Sequence, residues 1–163
     1  MNRNGLIKVI TFVLLLFSYS IVIVGQTQVN YARDTKRIWL DSDIAHNGGY
    51  KWKMMMARDV ADSGEKISLF GYPTTNWLPA IVPGTVLNSL VYNKKYPEPY
   101  YGLNNKIESQ LIPDIAEAGR DFYTYWFRTE FTVPESFNGR HVWLQIDGIN
   151  YRAEVWVNGN LLS

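Results

Sequence analysis

The stretch 96–105 (YPEPYYGLNN) holds the side chains in this chain best suited to recognition chemistry. Tyr96, Tyr100 and Tyr101 can offer ring faces to the C–H face of a sugar. Asn104 and Asn105 can bond to hydroxyls through both ends of their amides. Two Pro, one Gly and two Asn make the segment a loop. The same composition also suits a loop that packs its tyrosines against its own domain, and the residues alone leave both readings open. Other chemistry is scarcer. Cysteine is absent, which excludes disulfides and thiolate-bound metals. His46 and His141 have no partner at metal-ligand spacing, so neither a metal nor a cofactor is expected. The chain has no nucleophile elbow, phosphate-binding loop or dinucleotide fingerprint.

The elements that must position this loop are mostly strands. Residues 121–134 (DFYTYWFRTEFTVP) alternate, with Tyr123, Tyr125, Phe127, Thr129 and Phe131 on one face and Trp126, Arg128 and Glu130 on the other. Residues 140–147 (RHVWLQID) alternate again, with Val142, Leu144 and Ile146 inward. Residues 151–157 (YRAEVWV) alternate a third time, and Asn158-Gly159 is a hairpin turn signal. Earlier, 50–58 (YKWKMMMAR) reads as a strand with Trp52, Met54 and Met56 on one face, and 37–40 as a short one. Residues 85–92 fit a short helix capped by Thr85, with Leu87, Leu90 and Val91 on one side. One helical turn is expected after Pro113. Close-spaced strands with tight turns imply an antiparallel β-sandwich. The count of strands falls short of a closed one, and Asn158-Gly159 leads into no predicted return strand. The expectation is a sandwich incomplete at its C-terminus.

Trp126, Trp143 and Trp156 recur on successive strands. They suit packing, inside the sandwich or against a neighbouring domain, better than a glycan platform. Arg128 with Glu130, and Arg152 with Glu154, are expected to form exposed cross-strand pairs worth ~0.2–1 kcal/mol.

The first segment has a different character. Arg3 and Lys8 precede an almost wholly apolar run, Val9–Val24, and Gly25, Gln26 and Thr27 follow. This is the layout of a secretory signal peptide, residues 1–25. Export to the periplasm or outside the cell is expected, with no membrane association after cleavage. Residues 26–36 read as a flexible lead-in and 37–163 as the domain. The formal net charge of +1, without a basic stripe, excludes a nucleic-acid partner.

Four stretches carry a resemblance: WLPAIVPGTV (77–86), YPEPYYGLN (96–104), YTYWFRTEF (123–131) and DGINYRAEVWVNG (147–159). In this order they resemble the N-terminal domain of glycoside hydrolase family 2, in the branch of β-mannosidases and exo-β-glucosaminidases. The resemblance implies a jelly-roll, galactose-binding-like sandwich, often called a sugar-binding domain. Immunoglobulin-like domains and a barrel would follow it, and the barrel would supply two glutamates for retaining hydrolysis of terminal β-glycosidic bonds. None of the carboxylates here matches those two, so the fragment alone is expected to be inactive. The family's first domain sends an Asn-bearing loop to the rim of the barrel pocket. Asn104 or Asn105, with Tyr100, falls at that position. Two alternatives stay open: a free carbohydrate-binding module, and a purely structural brace.

Overall fold

The computed structural model describes residues 7–15 and 37–163; the lead-in 26–36 and the rest of the leader lie outside the described residues. Among the described residues six strands form one sheet. They are β1 (Ile7–Leu15), β2 (Lys53–Met56), β3 (Leu78–Pro79), β4 (Tyr125–Thr132), β5 (Arg152–Val157) and β6 (Asn160–Leu161). Their spatial order is β3-β2-β4-β1-β5-β6, and every neighbouring pair is antiparallel. Among the described residues no second sheet closes over this one, so the expected sandwich is seen as a single antiparallel layer with short helices on it.

β4 organises the layer. Its alternation sends Tyr125 and Phe127 into one core cluster and Trp126 into another, so both faces are covered. The first cluster joins Trp52, Met54, Ala80, Val86 and Leu90 to Tyr123, with Met56 and Tyr96 packed against it. Trp52, Met54 and Met56 thus share a face, as their period-two spacing predicts. Trp52 also donates from Nε1 to the Leu40 carbonyl at 2.5 Å. The strand itself is shorter than 50–58, because the chain tightens into a 3-10 turn at Ala57–Asp59.

One helix covers this face, and α1 (Gly64–Ile67) lies on the other. The covering helix, α2 (Val86–Tyr92), begins where Thr85 Oγ1 accepts from the Asn88 N–H at 3.0 Å. The buried stripe of α2 is Val86, Ser89 and Leu90, one residue round from the predicted Leu87, Leu90 and Val91. Ser89 explains the rotation. Its hydroxyl accepts from Ile81 N–H at 3.0 Å and donates to Thr85 O at 3.2 Å, satisfying polar groups that would otherwise be buried alone. The turn after Pro113 is α3 (Ile115–Ala118), capped by Asp114.

On the second face Ile67, Trp77 and Trp126 are buried, with Tyr72 and Trp156 packed on them. α1 lies here. Gly64 is set so close to the Trp156 indole that a Cβ would fall 2.4 Å from its Cε2 and Nε1. Gly64→Ala is therefore expected to destabilise the domain by about 1–3 kcal/mol, because the ring must leave its seat. Urea melts of Gly64→Ala, Trp156→Leu and the double variant check this. The double variant should cost clearly less than the two singles summed; strict additivity would show that the ring does not rest on the glycine.

Four expectations are corrected. Residues 140–147 form no strand, and Trp143 is 89% exposed. The place beside β4 is taken by β1, and Val142, Leu144 and Ile146 have no facing sheet to enter. The Asn158-Gly159 turn does have a return strand: both residues have positive φ (49° and 83°), and β6 pairs back onto Trp156 and Val157. Finally, Arg128 is not an exposed pair partner. It is 5% exposed, and its fork donates to Ile67 O at 2.9 Å, to Leu69 O at 2.8 Å and to Glu130. Residues 37–40 also carry no strand.

Candidate functional site

The 96–105 loop is anchored at its start and open at its tip. Asn93 closes α2, and its Nδ2 donates to Ser89 O at 2.6 Å and Pro79 O at 2.8 Å. Lys94 then turns the chain with φ of 57°. Tyr96 packs half-buried against the first core cluster, and burial raises its phenol pKa. These contacts hold the root of the loop to the sheet.

Beyond Tyr96 the backbone leaves the core. Tyr100 is 91% exposed and Tyr101 77%. Glu98 organises the tip: its carbonyl accepts from Tyr101 N–H at 3.2 Å and from Asn104 Nδ2 at 2.9 Å. Gly102, at φ 57°, lets the turn close. Ser109 donates to Asn104 O at 3.2 Å and ties down the far side. Tyr100 and Asn104 are therefore brought onto one compact tip. Asn105 is beside them and exposed. The tyrosines divide between the two readings of the sequence: Tyr96 packs inward, while Tyr100 and Tyr101 present their rings to solvent.

Two clefts were not foreseen, one of them at the loop. One, of ≈ 290 Å³, lies at the root of the loop between Asp59, Lys95, Tyr96 and Tyr125. The other, of ≈ 370 Å³, is lined by Asp59, Tyr72, Asn76 and Trp77. Asp59 and Met55 border both. Sequence offered one signal for them, the TTNW run just before the 77–86 stretch.

This arrangement can bind and orient. Retaining hydrolysis of a glycoside needs two carboxyls roughly 5–5.5 Å apart, whereas the loop carries only Glu98. Its geometry offers exposed ring faces and amides to a hydroxyl-rich ligand. Among the described residues no cluster of His, Cys, Asp or Glu could hold a metal ion, and no helix is long and apolar enough to cross a membrane.

The chain is 49% identical over 121 residues to a mannosylglycoprotein endo-beta-mannosidase of Lilium longiflorum, an alignment covering 64% of this chain and 12% of that protein. It is 33% identical over 105 residues to an exo-beta-D-glucosaminidase of Streptomyces avermitilis, covering 64% and 10%. An exo-beta-D-glucosaminidase of Amycolatopsis orientalis is 32% identical over 97 residues, covering 60% and 8%. The chain thus spans about a tenth of the length of these curated relatives. No solved structure matches it. Residues 52–163, which hold all four motif stretches and the whole candidate loop, match the model of one family, and the chain belongs to it: the galactose-binding domain-like family of glycosyl hydrolase 2.

Proposed function

We propose that this domain works within a longer, exported glycosidase that cleaves β-mannosidic or β-glucosaminidic bonds with retention, and that it lends its 96–105 loop to the rim of the substrate pocket. The observation that carries this reading is the loop tip. Tyr100 stands almost fully in solvent, and Asn104 is locked beside it by the Glu98 carbonyl. A family of glycosidase domains and a preorganised aromatic-amide tip point to the same ligand class. β-Mannosides come first, because the 49% identical relative acts on them. That relative is an endo-enzyme, so internal as well as terminal linkages belong to the proposal. The two catalytic glutamates would come from a barrel in the remainder of the polypeptide, and immunoglobulin-like domains would lie between. The domain itself would be a jelly-roll sandwich once complete, and residues 1–25 would direct export and be removed.

The structural-brace reading has one observation in its favour: the Asn104 amide already spends its Nδ2 within its own loop. Kinetics on the full-length polypeptide separate the two. Tyr100→Ala, Asn104→Ala and Asn105→Ala are each made with the rest of the enzyme intact. At least one should lower kcat/KM on a β-mannoside or β-glucosaminide about tenfold, the equivalent of ~1.4 kcal/mol of transition-state binding. Unchanged kinetics in all three would leave only the brace. A full polypeptide inactive on both substrate classes would sink the glycosidase reading. Residues 1–163 alone should hydrolyse neither. Intact mass of the secreted protein should place its first residue near Gln26.

A further inference from the structure

The larger cleft, of ≈ 370 Å³, contains no residue of the 96–105 loop and lies on the face of the second core cluster. Its volume falls in the roughly 300–1,000 Å³ range of small-molecule sites. One wall is an aromatic corner. Tyr72 and Trp77 meet edge to face, with ring centroids 6.0 Å apart and planes at 71°. Tyr72 is held in place: its hydroxyl donates to Asp62 Oδ2 at 3.0 Å, and Lys66 Nζ donates to Oδ1 of the same carboxylate at 2.7 Å. The Arg128 guanidinium lies over the Tyr72 ring, 5.8 Å from its centroid. Trp77 is buried, and its N–H donates to Thr74 O at 3.1 Å, closing the turn that carries Thr75 and Asn76. The corner is rigid before any ligand arrives, so little ordering is left to binding.

The polar side chains lining the cleft are unused. Asp59, Thr75 and Asn76 are exposed. Among the described residues their side chains make no hydrogen bond or ion pair. Nearby groups of the same types are occupied. Asp62 is shared by Lys66 and Tyr72, the Ser68 hydroxyl serves Glu65 O and the Gly159 N–H, and Asn93 serves two carbonyls. One carboxylate, one amide and one hydroxyl therefore line a single cleft, beside a fixed aromatic wall, with their bonding capacity open.

We infer that this cleft is a second sugar site, taking a neutral hexopyranose unit of a β-linked glycan independently of the 96–105 loop. The ligand class rests on the proposed glycosidase function; the site rests on the residues of the cleft. A pyranose ring has an apolar C–H face and a rim of hydroxyls. The face meets the corner of Tyr72 and Trp77. The Asp59 carboxylate only accepts, and takes the O–H groups of adjacent hydroxyls in charge-assisted bonds. The Asn76 amide and the Thr75 hydroxyl both donate and accept, as a hydroxyl rim requires. Other ligand classes fit less well. A lone ammonium only donates, which leaves the Asn76 and Thr75 donors unanswered. An anion meets Asp59 with like charge, and an apolar ligand would bury that carboxylate unpaired. With one contact at the pocket rim and one here, the domain holds a polymeric glycan at two points, which retains it more strongly than either point alone.

Affinity electrophoresis of the full-length polypeptide, in gels containing a soluble glucomannan, tests this. The wild type should be retarded by the polysaccharide. Asp59→Ala and Asn76→Ala should each weaken the apparent affinity about tenfold, the loss expected when a carboxylate or amide bonding to the sugar is removed. Asp59→Asn should fall between, since its amide oxygen still accepts but carries no charge. All three should keep the wild-type circular dichroism and urea midpoint, because neither side chain has a partner within the fold. Tyr100→Ala, at the loop tip, should keep most of the retardation. The inference is overturned if the wild type migrates freely, or if folded Asp59→Ala and Asn76→Ala both migrate as the wild type does. It is equally overturned if Tyr100→Ala alone abolishes retardation, because the polymer is then held at the loop. A polypeptide that is retarded through Asp59 and Asn76 but hydrolyses no glycoside would support the cleft and count against the functional proposal alone. An active polypeptide that is not retarded would do the reverse.

Discussion

Arg128→Met should lower the unfolding free energy of the domain by about 3 kcal/mol or more, a large share of a typical total. The reason lies in what the guanidinium holds. Its Nε reaches Ile67 O at 2.9 Å and one terminal nitrogen reaches Leu69 O at 2.8 Å. The same nitrogen meets Glu130 Oε1, which also accepts from the Gly71 N–H at 2.9 Å. The 67–71 turn is thus clasped to β4 by one side chain and its neighbour. Met keeps most of the aliphatic stem but leaves the buried Ile67 carbonyl without its donor, a cost of ~1–3 kcal/mol, and leaves the Leu69 carbonyl only the longer bond from the Tyr72 N–H at 3.3 Å. Arg128→Lys should fall between, because a point charge on a flexible stem cannot serve two carbonyls and a carboxylate as a planar fork does. Glu130→Gln should cost least: its amide oxygen can still accept from Gly71, and the Glu130 side chain is 30% exposed. Chemical denaturation at constant m-value gives this ranking directly. Equal costs for Met and Gln would mean that the carboxylate, not the carbonyl clasp, dominates.

That network also shows where sequence reasoning ends. Trp126, Arg128 and Glu130 are legible as one face of β4 by their alternation alone. What covers the face is not, because the partners of Arg128 lie 59 to 61 residues away in a turn with no distinctive pattern. An arginine between Phe127 and Thr129 therefore reads as solvent-facing until the turn is seen above it. The local signals fared better. Thr85 marked the start of α2, Asp114 caps the turn foreseen after Pro113, and Asn158-Gly159 marked a hairpin. Each works through a bond or a φ angle within three residues, so no tertiary knowledge is needed. Residues 140–147 failed for the opposite reason. Alternation states that a segment has one apolar face, not that a sheet is present to receive it. For the candidate site, Pro, Gly and Asn made the loop legible and the tyrosines its chemistry. The split between Tyr96 inside and Tyr100 outside, and the Glu98–Asn104 bond, depend on how α2 aims the chain.

Alkaline pH should unfold this domain through two of the same core residues. Burial pushes the phenols of Tyr123 and Tyr125 up to about 12, with neighbouring Tyr96 reinforcing the shift at both. An unfolded tyrosine ionises near 10. Below pH 10 both states hold their protons, so the pair makes stability neither rise nor fall. Between 10 and 12 the unfolded chain releases protons that the native domain keeps, and stability falls as pH rises. Each tyrosine contributes a slope approaching 1.4 kcal/mol per pH unit, or about 2–3 kcal/mol across the window. Together they remove roughly 5 kcal/mol, comparable to the whole stability of a small domain. Phe at either position should halve the slope, and Phe at both should leave only the contributions of the more exposed phenols. Tyr123→Phe has a second signature: its hydroxyl donates to Pro113 O at 2.7 Å. That variant should be about 1 kcal/mol weaker at pH 7 and gain on the wild type above pH 10, so the two stability curves cross. Urea titrations from pH 8 to 12, with tyrosinate absorbance followed in parallel, measure both. Ionisation of all phenols near 10 before unfolding would show that Tyr123 and Tyr125 are open to water, and that the cluster joining them to Met54, Val86 and Leu90 is not closed.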